Sequence, residues 1–287
     1  LWKMTYRYYS LAPQSSIRLV VQSPDGQPRE LDVKAKVKEG KRVLDLTGAG
    51  GGEDISALIR EIEDDERFAR HHYVEVGDDL LIWKMKAFNM EEDKVDEMMS
   101  KAKKRKALIL DLRGNGGGHE VTLQRLIGNL IDHDVKIGDI KRRKETKALV
   151  AKTRGGNNIF KGQLVVLVDS RSGSASELLA RLVQMEKRGA VIGDQTAGAV
   201  MRSEVHRFEM GAGKIISYRV SITDADLIMT DGQSLEHTGV TPDELLLPTA
   251  ADMAAKRDPV LSRAATLAGV TITPEKAGAL FPVEWRK

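Results

Sequence analysis

Two stretches of this chain are apolar on every side a strand can show, and both run into a small-residue turn. Residues 107–112 read Ala-Leu-Ile-Leu-Asp-Leu and residues 164–169 read Leu-Val-Val-Leu-Val-Asp. A strand with one wet face alternates polar and apolar residues; these do not, so both of their faces must be covered. Helical patterns follow each of them, over 119–131 and 175–187. Strand, turn and helix in that repeating order predict an α/β layer architecture with largely parallel central strands. Other elements fit around this frame. Residues 80–85 (Leu-Leu-Ile-Trp-Lys-Met) read as a strand and 93–104 as a charged amphipathic helix. Val191-Ile192 opens a short strand, 202–220 reads as a hairpin pair, and 250–268 reads as a helix.

The amino-terminal part has a different texture. Residues 16–36 read as a hairpin: Ile17, Leu19 and Val21 alternate with other residues, Ser-Pro-Asp-Gly at 23–26 is turn chemistry, and Leu31, Val33 and Ala35 alternate again. A hairpin alone is marginal in water and needs a surface to dock on. A linker-like stretch follows at 41–52, then a helical pattern over 54–70. With 287 residues the chain has length for about two domains. It shows neither a signal-peptide pattern nor an initial methionine, and the expectation is a chain that starts inside a longer protein or after a removed leader.

Composition removes several function classes. There is no cysteine, so thiolate nucleophiles, disulfides and thiolate zinc sites are excluded. The 45 basic and 42 acidic residues leave a net charge of +3, too even to imply a nucleic-acid partner. The basic run at 101–106 lies at the end of a predicted helix, where cations are favoured, and has no aromatic platform beside it. No apolar run approaches the roughly 18 residues of a membrane span, so no stable membrane insertion is expected. The six histidines show no His-Glu-x-x-His spacing, and Asp224, Asp226 and Asp231 do not fit a calcium loop; no metal and no cofactor are expected.

Two glycine loops carry the next constraint, at 45–54 (Asp-Leu-Thr-Gly-Ala-Gly-Gly-Gly-Glu-Asp) and 111–120 (Asp-Leu-Arg-Gly-Asn-Gly-Gly-Gly-His-Glu). A dinucleotide fingerprint needs glycine where Glu53 and His119 stand, and neither loop carries a phosphate-binding Gly-Lys-Ser/Thr. The second loop lies between a buried strand and a helix, where converging N–H groups suit either an oxyanion hole or a plain tight turn. After the other buried strand comes Asp-Ser-Arg-Ser-Gly-Ser-Ala-Ser-Glu at 169–177. A serine there presents its hydroxyl above the sheet edge beside a helix N-terminus. Ser174 with Glu177 also fits an ordinary capping box.

Taken together, four motifs resemble the C-terminal processing peptidases, also called tail-specific proteases, and the core of the tricorn protease. They are 107–118, 165–177, Val-Ile-Gly-Asp-Gln-Thr-Ala-Gly at 191–198 and Leu-Glu-His-Thr-Gly-Val-Thr-Pro-Asp at 235–243. The resemblance implies a crotonase-like layered α/β protease core over 46–287, preceded by a partial PDZ-like β segment over 1–45. It implies a serine endopeptidase that cuts unfolded or C-terminal protein segments through an acyl-enzyme. Its substrates would be proteins or peptides and its location periplasmic or extracytoplasmic, with homo-oligomer formation left open. Carried over by position, Ser174 takes the place of the nucleophile, and Gly117 and Ala175 take the places of the oxyanion-hole amides.

One departure stands out. Ala199 occupies the place where many members carry the lysine base in Thr-x-Gly-Lys-Gly. A serine hydroxyl without a base is a poor nucleophile at neutral pH. The tricorn branch lacks that lysine and uses a histidine on an early strand with a glutamate before Gly-Val-x-Pro-Asp. Lys84 aligns with that histidine and Glu236 with that glutamate, so Lys84, Glu236 and Ser174 form the expected catalytic set. Strand alternation puts Lys84 on the face of Leu80 and Ile82, where burial would favour a neutral amine. His119 and His237 are rival bases. A member without any base would be a non-catalytic peptide- or ligand-binding protein, and an acyl-thioester enzyme on related layers is a third reading.

Overall fold

A computed structural model describes residues 15–22, 26–34, 72–211 and 216–281. The chain divides into two compact units, 1–67 and 68–287. In the first unit the expected hairpin is present: β1 (Ser16–Val21) and β2 (Arg29–Lys34) pair antiparallel with Leu19 opposite Leu31. The linker at 41–52 and the helical pattern at 54–70 lie outside the described residues.

The second unit is built on a six-stranded sheet. Its strands are β3 (His72–Val76), β4 (Leu80–Lys84), β5 (Ala107–Asp111), β8 (Gln163–Val168), β9 (Ala190–Gly193) and β12 (Glu244–Leu245), in the spatial order β12-β9-β8-β5-β4-β3. All neighbours run parallel except β3, which pairs antiparallel with β4. The helices that cover one face are α1 (Glu92–Ala102), α2 (Glu120–Leu130) and α3 (Ala175–Met185). Against them pack Leu81, Trp83, Leu108, Leu110, Val166 and Val168. The alternate residues Leu80, Ile82, Ile109, Val165 and Leu167 face the other way, onto α5 (Pro259–Leu267) and α6 (Pro274–Leu280). This double coverage explains the unbroken apolar runs: each such side chain contributes about 1.5–3 kcal/mol on burial.

The expected carboxy-terminal helix at 250–268 is two helices, α4 (Ala250–Ala254) and α5. The break has a local cause. Asp258 caps α5 by accepting the Leu261 N–H at 2.9 Å, and Pro259 cannot donate the bond that would continue α4. A second, four-stranded antiparallel sheet was not anticipated in full. It runs β10-β11-β6-β7, from β6 (Val135–Lys141), β7 (Thr146–Ala151), β10 (Arg202–Met210) and β11 (Ile216–Met229). β10 and β11 are the hairpin expected at 202–220, but β11 runs nine residues further because its end pairs with β6. β6 alternates apolar residues with lysine, glycine and aspartate, and β7 carries one short Ala-Leu-Val-Ala run, patterns too short to place in a sheet before their neighbours are known.

The basic run at 101–106 is spent within the chain. Lys101 pairs with Glu97, Arg105 with Glu75 and Lys106 with Asp79, while Lys103 donates to the Asn158 carbonyl.

Candidate active site

Parallel strands deliver their following turns to one end of the sheet, so the loops after β5 and β8, adjacent strands, meet there. Direct bonds join the two loops. Gly114 N–H donates to Asp169 Oδ1 at 2.8 Å, Ser172 Oγ to the Leu112 carbonyl at 2.9 Å, and Gly173 N–H to the Asn115 carbonyl at 3.0 Å. Ser176 Oγ donates to the same Asn115 carbonyl at 2.9 Å. The result is one rigid platform made of two strand-to-helix turns.

Ser174 stands on that platform with φ 52° and ψ −119°. This conformation is costly for a residue with a Cβ, of order 1–3 kcal/mol, and it is the sharp turn that lifts a nucleophile clear of its helix. An ordinary N-cap has extended backbone instead. Gly117, with φ 100°, closes over it: a Cβ on Gly117 would lie 2.6 Å from Ser174 Cβ and 3.0 Å from Ala175 N. Only glycine fits. Ala175 is the first residue of α3, where an amide has no carbonyl within the helix to bond.

The strain is held by Glu177, which is fully buried. Its Oε2 accepts the N–H groups of Ser174 (2.9 Å) and Ala199 (3.0 Å), and its Oε1 accepts Thr196 Oγ1 (2.6 Å) and Gly198 N–H (2.7 Å). The Ala199 carbonyl in turn accepts the Ser174 N–H at 2.9 Å. Ser174 and Glu177 do have the geometry of a capping box, but the carboxylate reaches well beyond its helix and ties the serine turn to residues 196–199.

Glu236 joins the site through the same segment. Its Oε2 accepts the Val200 and Met201 N–H groups at 2.8 and 3.1 Å, and its Oε1 lies 4.0 Å from His237 Nε2. His237 N–H bonds the Gly198 carbonyl at 2.8 Å. His119, exposed, caps the start of α2 directly after the glycine loop.

Lys84 is placed differently from the expectation. It does share a face with Leu80 and Ile82, but that is the face of α5 and α6, opposite the helix that Ser174 leads. There its Nζ donates to Asp111 Oδ2 at 3.1 Å and sits 5.8 Å from the centre of the Phe281 ring. Asp111 is fully buried and also meets Arg113 through both oxygens, at 2.9 and 2.8 Å. Arg113 spans on to both oxygens of Asp258, at 2.9 and 2.7 Å. Burial opposes the Asp111 charge, yet Arg113 and Lys84 outweigh it and hold that carboxyl well below the usual carboxylate range. That bond directs the Lys84 amine to Asp111, on the face of the sheet opposite α3 and Ser174.

Gly117, expected to supply an oxyanion-hole amide, has its N–H on Asn115 Oδ1 at 2.9 Å. Ser174, Gly117 and Ala175 are therefore brought together, Glu236 reaches them through residues 199–201, and Lys84 is not joined to them by any described contact. Sequence reading missed Asn115, Arg113 and Asp258 as parts of the site; the Arg-Gly-Asn embedded in the glycine run was the available signal.

Comparison with known proteins places this geometry. Residues 79–246 match the sequence profile of Peptidase family S41. The chain is 32% identical over 179 residues to the tail-specific protease of Haemophilus influenzae, covering 59% of this chain and 25% of that protein. It is 31% identical over 150 residues to the chloroplastic C-terminal processing peptidase of Tetradesmus obliquus, covering 49% and 29%. It thus spans about a quarter of the length of these relatives. Among solved structures, mature CPAF superposes with a TM-score of 0.55 over 84% of this chain and 64% of that one, at 16% identity, a likeness of fold.

Proposed function

This chain belongs to peptidase family S41, and on that premise we propose that it is a serine peptidase with Ser174 as its acylating nucleophile. The observation that carries the reading is the backbone of Ser174. A strained serine at φ 52°, pinned by a buried carboxylate under a glycine that tolerates no Cβ, is expensive and has no purpose as a plain cap. In the reaction Ser174 Oγ attacks the scissile carbonyl and its proton passes to a base. The tetrahedral oxyanion is met by the Ala175 N–H and by the glycine loop. The base then protonates the leaving amine, and water hydrolyses the acyl-enzyme.

The substrates proposed are unfolded or C-terminal protein segments, supported by the names of the two relatives. An extracytoplasmic location rests on the same resemblance; among the described residues no helix is long and apolar enough to cross a membrane. Residues 1–45 as the end of a PDZ-like unit, before a protease core over 46–287, have the β1–β2 hairpin as their support; the family match spans 79–246 and the second compact unit begins at residue 68.

The proton acceptor is proposed to be a rim imidazole, His119 or His237, and not Lys84. His119 follows by two residues the Gly117 that packs on Ser174, and the His237 N–H bonds Gly198, next to the Ala199 whose carbonyl accepts the Ser174 N–H. Glu236 serves as the clamp on residues 200–201 and flanks His237.

A fluorophosphonate probe tests the core of this reading. Wild type is expected to gain the probe mass on the peptide that contains Ser174, and Ser174→Ala is expected to gain none. A wild type that stays unlabelled would leave the peptide-binding alternative standing. The base is tested separately by labelling rates at pH 7. One of His119→Gln and His237→Gln is expected to slow labelling by about 100-fold or more. Lys84→Met is expected to stay within threefold while lowering stability by about 1.5–3 kcal/mol through the lost bond to Asp111. A 100-fold loss in Lys84→Met with both histidine variants unaffected would restore Lys84 as the base.

A further inference from the structure

The bond between Gly117 N–H and Asn115 Oδ1 occupies the donor that the oxyanion needs. We propose that Asn115 masks this amide in the resting protein, and that the developing oxyanion draws it away by rotation of the single peptide unit between Gly116 and Gly117. The inference rests on Ser174 being the nucleophile.

Asn115 is well placed to act as such a positioning residue. It is buried, and its carboxamide is oriented by its second bond, Nδ2 to the Met85 carbonyl at 2.9 Å, which turns Oδ1 rather than Nδ2 toward Gly117. Its own backbone is fixed on both sides: its N–H bonds the Leu112 carbonyl at 3.0 Å, and its carbonyl accepts Gly173 N–H and Ser176 Oγ. The mask itself cannot drift.

The peptide it holds can turn. Gly116 has no atom within 4 Å of the place a Cβ would take, and Gly117 already sits at φ 100°. Rotation about the bonds that flank this peptide therefore meets no side chain of its own. The next peptide is anchored, because the Gly117 carbonyl accepts the Phe88 N–H at 2.9 Å and His119 N–H bonds the Phe88 carbonyl. The motion is confined to one unit.

The exchange also has the right energetic sign. A neutral amide–carboxamide bond is replaced by a bond to an anion, about twice as strong. A ground-state carbonyl offers no such gain. The masked donor is thus recruited chiefly in the transition state, where binding accelerates the reaction.

The test uses the whole chain with uniform 15N labelling, before and after reaction with a fluorophosphonate. The expected result is that the Gly117 amide resonance shifts on phosphonylation, and that a crystal structure of the adduct shows Gly117 N–H on the phosphonyl oxygen and no longer on Asn115 Oδ1. Asn115→Ala supplies an independent sign: unmasking predicts labelling about fivefold faster than wild type, whereas a merely structural asparagine predicts slower labelling. If Asn115→Ala fails to fold, the wild-type adduct still decides. An adduct on Ser174 with the Gly117–Asn115 bond intact overturns the mask and leaves the serine peptidase standing. Absence of any adduct on Ser174 overturns both.

Discussion

Glu177→Gln is expected to slow phosphonylation of Ser174 by at least 100-fold and to destabilise the fold by about 1–3 kcal/mol. The reason is a mismatch of donors. Each carboxylate oxygen of Glu177 accepts two hydrogen bonds, so all four approaching groups are donors: the N–H groups of Ser174, Gly198 and Ala199 and the hydroxyl of Thr196. A glutamine of the same shape must point an NH2 at one pair of them whichever way its amide is turned. One buried donor then loses its acceptor and faces another donor, the Ala199 or the Gly198 N–H according to the turn of the amide, at about 1–3 kcal/mol, because Ser174 N–H keeps the Ala199 carbonyl and the Thr196 hydroxyl can accept. With the NH2 turned toward Ser174, its strained backbone keeps the Ala199 carbonyl alone and loses the carboxylate that ties it to residues 196–199. Guanidinium denaturation and the second-order rate of probe labelling measure the two effects. Labelling within threefold of wild type would show that the serine turn keeps its shape without the carboxylate.

The second large effect is expected at Arg113, far from the nucleophile in chemistry but joined to it through the glycine loop. Arg113→Met removes the guanidinium that bridges Asp111 to Asp258 and leaves a fully buried carboxylate with Lys84 and the backbone N–H of residue 113. Breaking one partner from a buried charge pair costs about 3–5 kcal/mol. The pH dependence carries an independent signature. Because the Asp111 carboxyl is held below its unfolded value, its contribution to stability is complete above the unfolded carboxylate pKa, about 3.9, and is lost as pH falls through the range below it. Wild type should therefore lose stability steeply between about pH 4 and pH 2, and Arg113→Met should show a shallower acid limb from a lower plateau. A variant whose urea midpoint at pH 7 matches wild type would mean the bridge contributes nothing net.

Both effects come from carboxylates whose partners lie far away in sequence, and this marks the limit of what could be read from the residues alone. The two apolar strands, the helices after them and the serine at the head of the second helix were legible because each is a local pattern. An unbroken run of Leu, Ile and Val has only one way to escape water on both faces, and the parallel, doubly covered sheet follows from it. The break at Pro259 was equally local, but the apolar periodicity that crosses it made one helix look continuous. β6 and β7 were not legible, since β6 is held by its pairing with β11 and β7 by its pairing with β6.

By itself, then, the sequence determined that this chain forms covered, largely parallel strands, and that a glycine loop follows one of them and a serine turn the other; that the two strands are neighbours came from their pairing. Tertiary structure decided the directions of individual groups: Lys84 toward Asp111, the Gly117 N–H toward Asn115, and Glu177 across to residues 196–199. The physical reason is that apolar burial is set by pattern and area, which neighbours in sequence share. A hydrogen bond or ion pair is set by a few tenths of an ångström and an angle between groups dozens of residues apart, and those exist only once the layers have closed.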